Sequence, residues 1–305
     1  MALADDGTVY VGGVTMSTDF PGARAAQVGP GGSPDGFIAR FRPGDSKSLQ
    51  TVLLGGAGRE QITALALDAR GNLFVTGYTT SADFPTANAV QPRFGGGADA
   101  FLVKVRTSDW KLLFSTYLGG TKMDGAYGLS IDADGNPIVS GVTESSDFPS
   151  TPSAFQPRLR GTVDAFVTKL SADGARILWS TYYGGSKANS DQFLGGSQAI
   201  DEAGRVWFTG MTNSTDLPTK SAAQPNNGGG DFDGFLAALS PDGSKLCYAT
   251  YVGGNGHDIL EGLAIHKGQI YAAGLTASQN FSKSGKYGGG PYDAMVVGLD
   301  HPGCR

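Results

Sequence analysis

Apolar residues along this chain come in short runs, four to seven long and rich in β-branched and aromatic side chains, bounded by Gly, Asp, Asn or Pro. That is the pattern of strands joined by tight turns. No stretch keeps its apolar residues at the spacing of a helix face, so none is expected to be helical. The runs are also ordered. VYVGGVTMSTDFPG recurs as LFVTGYTTSADFPT, PIVSGVTESSDFPS, VWFTGMTNSTDLPT and IYAAGLTASQNFSK. The anchor glycines Gly13, Gly77, Gly141, Gly210 and Gly274 are 64, 64, 69 and 64 residues apart.

Each unit of about 64 residues predicts four strands. The first two flank a turn, as in LALDARGNLFVTG (65 to 77). The third starts at Asp35, Asp99, Asp164, Asp233 and Asp293, and the fourth ends at the Gly-Gly pairs closed by Gly56, Gly120, Gly185 and Gly254. Several strands are apolar on both faces, so an open sheet with one wet side is excluded and each unit needs neighbours stacked on both sides. Radial stacking meets that need. We therefore expect an all-β β-propeller of five four-stranded blades in one domain, with repeats at about 1-58, 59-122, 123-187, 188-256 and 257-305. The fifth repeat has no fourth strand, so the closing blade is expected to be incomplete. A fragment of a longer array is the alternative.

Composition agrees with this plan. Glycine accounts for 48 of 305 residues, well above the usual ~7%, and only 17% of residues are charged, against ~25% in an average chain. A chain of this length buries about three quarters of its unfolded surface and needs no staples to build a core. The net charge of −5 and the lack of any block of like charge argue against a nucleic-acid partner. No apolar run reaches the ~18 residues of a spanning helix. MALADDGTVY is not a signal peptide, and because the pattern is already under way there, we expect a leader or upstream segment ahead of it.

The segment YLGGTKMDGAYGLSIDADGNPIVSGVTESSDFPS (117 to 150) resembles, nearly throughout, the bacterial β-propeller repeat family SBBP. The likeness extends over essentially the whole chain. It departs in the last unit, where QNFS replaces the Asp-Phe-Pro segment and Met295 the strand Phe, and at Leu217. The resemblance implies the propeller fold and a secreted or cell-surface location, and it assigns no activity.

Several residue sets are candidates for chemistry. Asp19, Asp83, Asp147 and Asp216 of the repeated Asp-Phe-Pro segment, and the strand-opening Asp35, Asp99, Asp164, Asp233 and Asp293, recur once per repeat. They are therefore expected to accept backbone N–H bonds in turns rather than bind ligand. The turn glycines of DARGN, DADGN and DEAGR are expected at positive φ. DADGN has the start of a calcium loop but lacks its Glu and its helices, so no cofactor or metal is expected and calcium is the ion that would be tried first.

The loops after the Gly-Gly pairs carry Glu60, Asp124, Asp191 and Asp258, and two readings stand for them. Gathered around a propeller axis, they would form an acidic mouth able to bind a cation or a sugar, or to serve as catalytic acid and base. Otherwise each caps its own loop. The fourth repeat's loop, SKANSDQFLGGSQAI, is four residues longer than its counterpart in the third, which makes Lys187, Asn189 and Gln192 ligand-binding candidates. His257 and Glu261 lie at the matching loop of the next unit. Cys247 stands where sibling strands have Leu113 and Leu178, so a buried thiol is the default; a bond to Cys304 would pin the C-terminus. Trp110, Trp179 and Trp207 are read as packing residues, with Trp110 also a possible sugar platform.

Nucleophile-elbow, zincin and phosphate-loop signatures are absent. By fold analogy the expected function is an extracellular binding or scaffold module, with a carbohydrate, protein or cation held by loops around the central axis. The alternatives are a glycoside hydrolase or lyase using axial carboxylates, and a structural adhesin that self-associates through its open blade edge.

Overall fold

The computed structural model describes residues 1–17, 19–20, 27–28, 34–187, 197–281 and 288–300. They form twenty strands in five sheets and no helix. The first sheet has the order β1-β2-β4-β5-β3, from β1 (Ala2–Leu3), β2 (Val9–Thr15), β3 (Gln27–Val28), β4 (Asp35–Arg42) and β5 (Asp45–Leu54). The second runs β6 (Glu60–Leu67), β7 (Asn72–Thr79), β8 (Asp99–Arg106) and β9 (Lys111–Leu118). The third runs β10 (Asp124–Ile131), β11 (Pro137–Thr143), β12 (Asp164–Leu170) and β13 (Ile177–Tyr183). β14 (Gln198–Ile200), β15 (Val206–Thr212), β16 (Asp233–Leu239) and β17 (Leu246–Val252) make the fourth, and β18 (Asp258–His266), β19 (Gln269–Thr276) and β20 (Asp293–Asp300) the fifth.

This is the all-β, repeated-sheet organisation of β-propeller repeats, and third strands begin at the five aspartates that the repeat marks. One feature departs from the four-strand plan. In the first sheet the two-residue β3 adds a parallel pairing to β5.

The chain divides into two compact units. One comprises Met1–Val139, Ser145–Pro149 and Thr168–Leu178; the other comprises Ser140–Glu144, Ser150–Val167 and Trp179–Arg305. In the first unit, Tyr10, Ile38 and Leu54 of the first sheet share a core with Ile62, Leu65, Leu73, Val75 and Phe101 of the second. In the second unit, Trp207, Leu236 and Tyr248 of the fourth sheet meet Leu260, Ile270, Ala272 and Met295 of the fifth. Within each unit these two sheets thus bury apolar faces against each other, each large side chain contributing about 1.5–3 kcal/mol.

Two of the anchor glycines, Gly77 and Gly274, sit opposite bulges, whereas Gly13 and Gly210 lie against the rings of Phe37 and Phe235. β6 shifts register between Ile62 and Ala64, and β18 between Leu260 and Gly262. A Cβ on Gly77 or Gly274 would run into the backbone carbonyl of Gln61 or Ile259 beside these bulges. Gly71, Gly135 and Gly204 turn the first hairpin of their sheets at φ of 75°, 83° and 76°.

Candidate functional site at the Gly-Gly corners

Where a fourth strand ends, three successive backbone N–H groups are left pointing out of the ladder. The repeat supplies an acceptor for each. At the Gly119-Gly120 corner, the Gly120 N–H donates to Asp124 Oδ2 (2.7 Å), that of Thr121 to Asp147 Oδ1 (3.0 Å) and that of Lys122 to Ser145 Oγ (2.9 Å). The Ser145 hydroxyl donates in turn to Asp124 Oδ2 (2.8 Å). At the preceding corner Gly56, Ala57 and Gly58 donate to Glu60 Oε2, Asp83 Oδ1 and Ser81 Oγ at 2.9, 2.8 and 2.7 Å. Both Thr79 (2.6 Å) and Ser81 (2.5 Å) then donate to Glu60 Oε1. Gly254, Asn255 and Gly256 donate to Asp258, Asn280 and Ser278 at 2.8, 2.8 and 2.7 Å.

A second acid enters each corner from the third strand. Asp99 Oδ2 accepts from the Gly95 N–H (2.8 Å) and from Gln91 Nε2 (3.2 Å), while Gln91 Oε1 accepts the Gly119 N–H (3.1 Å). Gln156 serves Asp164 and Gly184 in the same way, and Gln224 accepts the Gly253 N–H. Among the described residues Asp99 Oδ1, Asp233 Oδ1 and Asp258 Oδ1 have no hydrogen-bond partner although fully buried. Burial, with the neighbouring Asp124 charge adding to it, raises the Asp99 carboxyl to about 7. Burial and then the Asp258 charge raise Asp233 to about 6. These corners can hold a proton near neutral pH.

The sequence candidates distribute as follows. Glu60, Asp124 and Asp258 are buried and engaged with their own corners, the local-cap arrangement; Asp191, Asn189 and Gln192 lie outside the described residues. Asp83, Asp147 and Asp216 accept backbone N–H bonds, but across 26 to 30 residues, from the preceding corner rather than from their own turn. Their tie is therefore between repeats. Sequence reading missed two members of the corner, the serines Ser81, Ser145, Ser214 and Ser278 and the glutamines Gln91, Gln156 and Gln224. Their signal was present, in the recurring Thr-x-Ser-x-Asp/Asn and Gln-Pro spacings.

The other candidates are placed separately. Lys187 is exposed, and its N–H donates to Ser214 Oγ (3.2 Å). Glu261 is exposed on β18. His257 is half-buried, its ring 5.3 Å from that of Phe232 and 6.0 Å, edge-on, from the exposed ring of Tyr292. Trp110 sits at a φ of 58° under the Arg40 guanidinium, 5.1 Å away; the Trp179 indole donates to Pro241 O and that of Trp207 to Asp201. Asp132 of DADGN accepts from the Asn136 N–H and pairs with Lys169 at 2.7 Å. No group of three or more His, Cys, Asp or Glu among the described residues is placed to hold a metal. Cys247 corrects the default expectation of a free thiol: it is buried and disulfide-bonded, and the other cysteine of the chain, Cys304, lies outside the described residues.

Residues 51–85 match the family model SBBP, described as a β-propeller repeat. Over 298 residues the chain is 29% identical to the regulatory protein FlaEY of Caulobacter vibrioides, covering 90% of this chain and 29% of that protein. The chain thus spans less than a third of this relative's length. Among solved structures, a protein of unknown function from Dyadobacter fermentans aligns over 98% of this chain and 77% of its own, at 12% identity and a TM-score of 0.48. An ulvan lyase of polysaccharide lyase family 25 aligns over 89% and 64%, at 9% identity and a TM-score of 0.43.

Proposed function

We propose that this array of β-propeller repeats is an extracellular binding or scaffold module of five blades, rather than a glycoside hydrolase or lyase. The observation that carries this reading is the use of the acids. Glu60, Asp124 and Asp258 accept the backbone and hydroxyl donors of their own corners and are buried. A catalytic carboxylate must reach substrate oxygen or an attacking water, and these are committed to holding the chain. The disulfide at Cys247 supports an oxidising location.

Ligand contact falls to exposed side chains of the loops. In the second unit, His257 and Tyr292 form an aromatic ledge suited to the apolar face of a sugar or to a protein side chain. A glycan array with the purified chain, followed by titration of the best glycan against Tyr292→Ala and His257→Ala, tests this. Saturable binding that falls about tenfold in Tyr292→Ala with an unchanged melting temperature is expected. Release of shortened or unsaturated sugars by the native chain, lost in Asp124→Asn or Asp258→Asn, would establish the enzyme instead. Failure of every glycan to bind would remove the carbohydrate reading of the ledge.

A further inference from the structure

In the second and third sheets, β8 and β12 each carry a lysine five residues after the opening aspartate, and the first hairpin turn of the same sheet supplies its acid. Lys104 pairs with Asp68 at 3.1 Å and Lys169 with Asp132 at 2.7 Å. The first sheet keeps the cation and loses the acid. Arg40 stands at the position of Lys104, opposite Tyr10 on β2 as Lys104 is opposite Phe74 on β7. Ala4 stands at the position of Asp68: its N–H donates to Thr8 O and its carbonyl accepts the Gly7 N–H, the bonds that Asp68 makes with Asn72 and Gly71. Among the described residues no carboxylate lies within ion-pair distance of Arg40. The one acidic side chain outside those residues is Asp191, in the fourth repeat.

Neutral groups hold the Arg40 guanidinium instead. Its Nε and Nη2 donate to Gln50 Oε1 at 3.0 and 2.6 Å, and its Nη1 donates to Thr107 O. The group lies over the Trp110 ring, 5.1 Å from its centroid, and Trp110 supports it from a φ of 58°, a backbone conformation that bulky residues rarely take. A guanidinium has five N–H groups, so one on each terminal nitrogen is left over. Beside it is a cavity of about 370 Å³ that Arg40 lines together with Asp6, Thr8, Arg42, Asp45 and Ser48, a volume in the range of small-molecule sites. Arg42 is already paired there, with Asp6 at 2.8 Å. The cavity therefore presents one oriented cation whose acid the sequence has removed.

We propose that this cavity binds a sugar acid, a uronate residue of a glycan, whose carboxylate takes the place that Asp68 and Asp132 fill in the sibling sheets. The carboxylate accepts the two remaining N–H groups of Arg40, a charge-assisted match of two planar groups. Asp6 and Asp45 accept the ring hydroxyls, donors that an acidic protein side chain does not carry. Their charge disfavours a ligand with a second negative charge, such as a phosphate ester. The site lies in the first unit and uses no residue of the aromatic ledge, which belongs to the second.

The test is trigalacturonate, one residue of which enters the cavity, titrated into the full chain by calorimetry beside its methyl ester, which keeps the hydroxyls and removes the charge. Saturable one-to-one binding is expected, about tenfold weaker for the ester. Ala4→Asp restores the acid of the sibling sheets; it should weaken trigalacturonate about tenfold while the melting temperature stays level or rises. Arg40→Gln should weaken it at least as much, and Tyr292→Ala should leave it unchanged. No saturable binding, an ester that binds equally well, or undiminished binding in Ala4→Asp would overturn the proposal. So would equally tight binding of triglutamate, which would assign the carboxylate to a protein ligand. A loss in Tyr292→Ala with none in Ala4→Asp would place the glycan on the ledge and overturn this site alone.

Discussion

Asp99 and Asp124 converge on a single residue: a Cβ built on Gly119 would lie 2.6 Å from Asp99 Oδ1 and 2.9 Å from Asp124 Oδ2. One acid comes from the start of the third strand and the other from the start of the next repeat, so the glycine between them is where two repeats are joined. Gly119→Ala must push one carboxylate out of its hydrogen bonds. We expect a loss of about 2–3 kcal/mol in denaturant unfolding, with no change in secondary structure by circular dichroism.

The same pair sets a pH dependence. The folded-state carboxyl of Asp99 is raised to about 7 and that of Asp233 to about 6, by burial first and by the charges of Asp124 and Asp258 next. A raised acid binds its proton more tightly in the folded chain. Its contribution is therefore fully present below the ordinary carboxylate range and is lost as pH rises toward 6 and then 7. The melting temperature is expected to fall between pH 5 and pH 8. Asp99→Asn keeps an acceptor for Gly95 and places an amide beside Asp124, so it should raise the melting temperature at pH 8 and leave it nearly unchanged at pH 5. An equal effect at both pH values would contradict this assignment.

Ser145 holds two bonds of one corner, accepting from the Lys122 N–H and donating to Asp124. Ser145→Ala leaves a buried carboxylate short of a donor, and a loss of about 1–3 kcal/mol is expected. Hydrogen exchange should accelerate at residues 120–122 ahead of the strands on either side. Uniform acceleration across the second and third sheets would mean that the corner is not a local unit.

The disulfide at Cys247 gives a chemical readout. Thiol titration of the unfolded, unreduced chain should find no free thiol, and reduction should lower stability by about 2–4 kcal/mol. Two free thiols under those conditions would remove both the bond and its support for an oxidising location.

The repeat, the all-β class and the start of every third strand are legible along the chain, because a strand's period, its bounding turn residues and its glycines are local and recur five times. The sequence also held the corner residues, but as separate motifs whose meaning is not local. Ser145 and Asp147 are 21 and 23 residues from Asp124 and belong to a different strand end; only when β10 and β11 pair do they arrive at the same three N–H groups. Tertiary structure therefore decided that Glu60, Asp124 and Asp258 are buried caps, since burial depends on which strand end closes over them. It decided too that Gln91 reads both Asp99 and Gly119. Those facts turn on what lies beside a strand, which the order of residues along that strand does not specify.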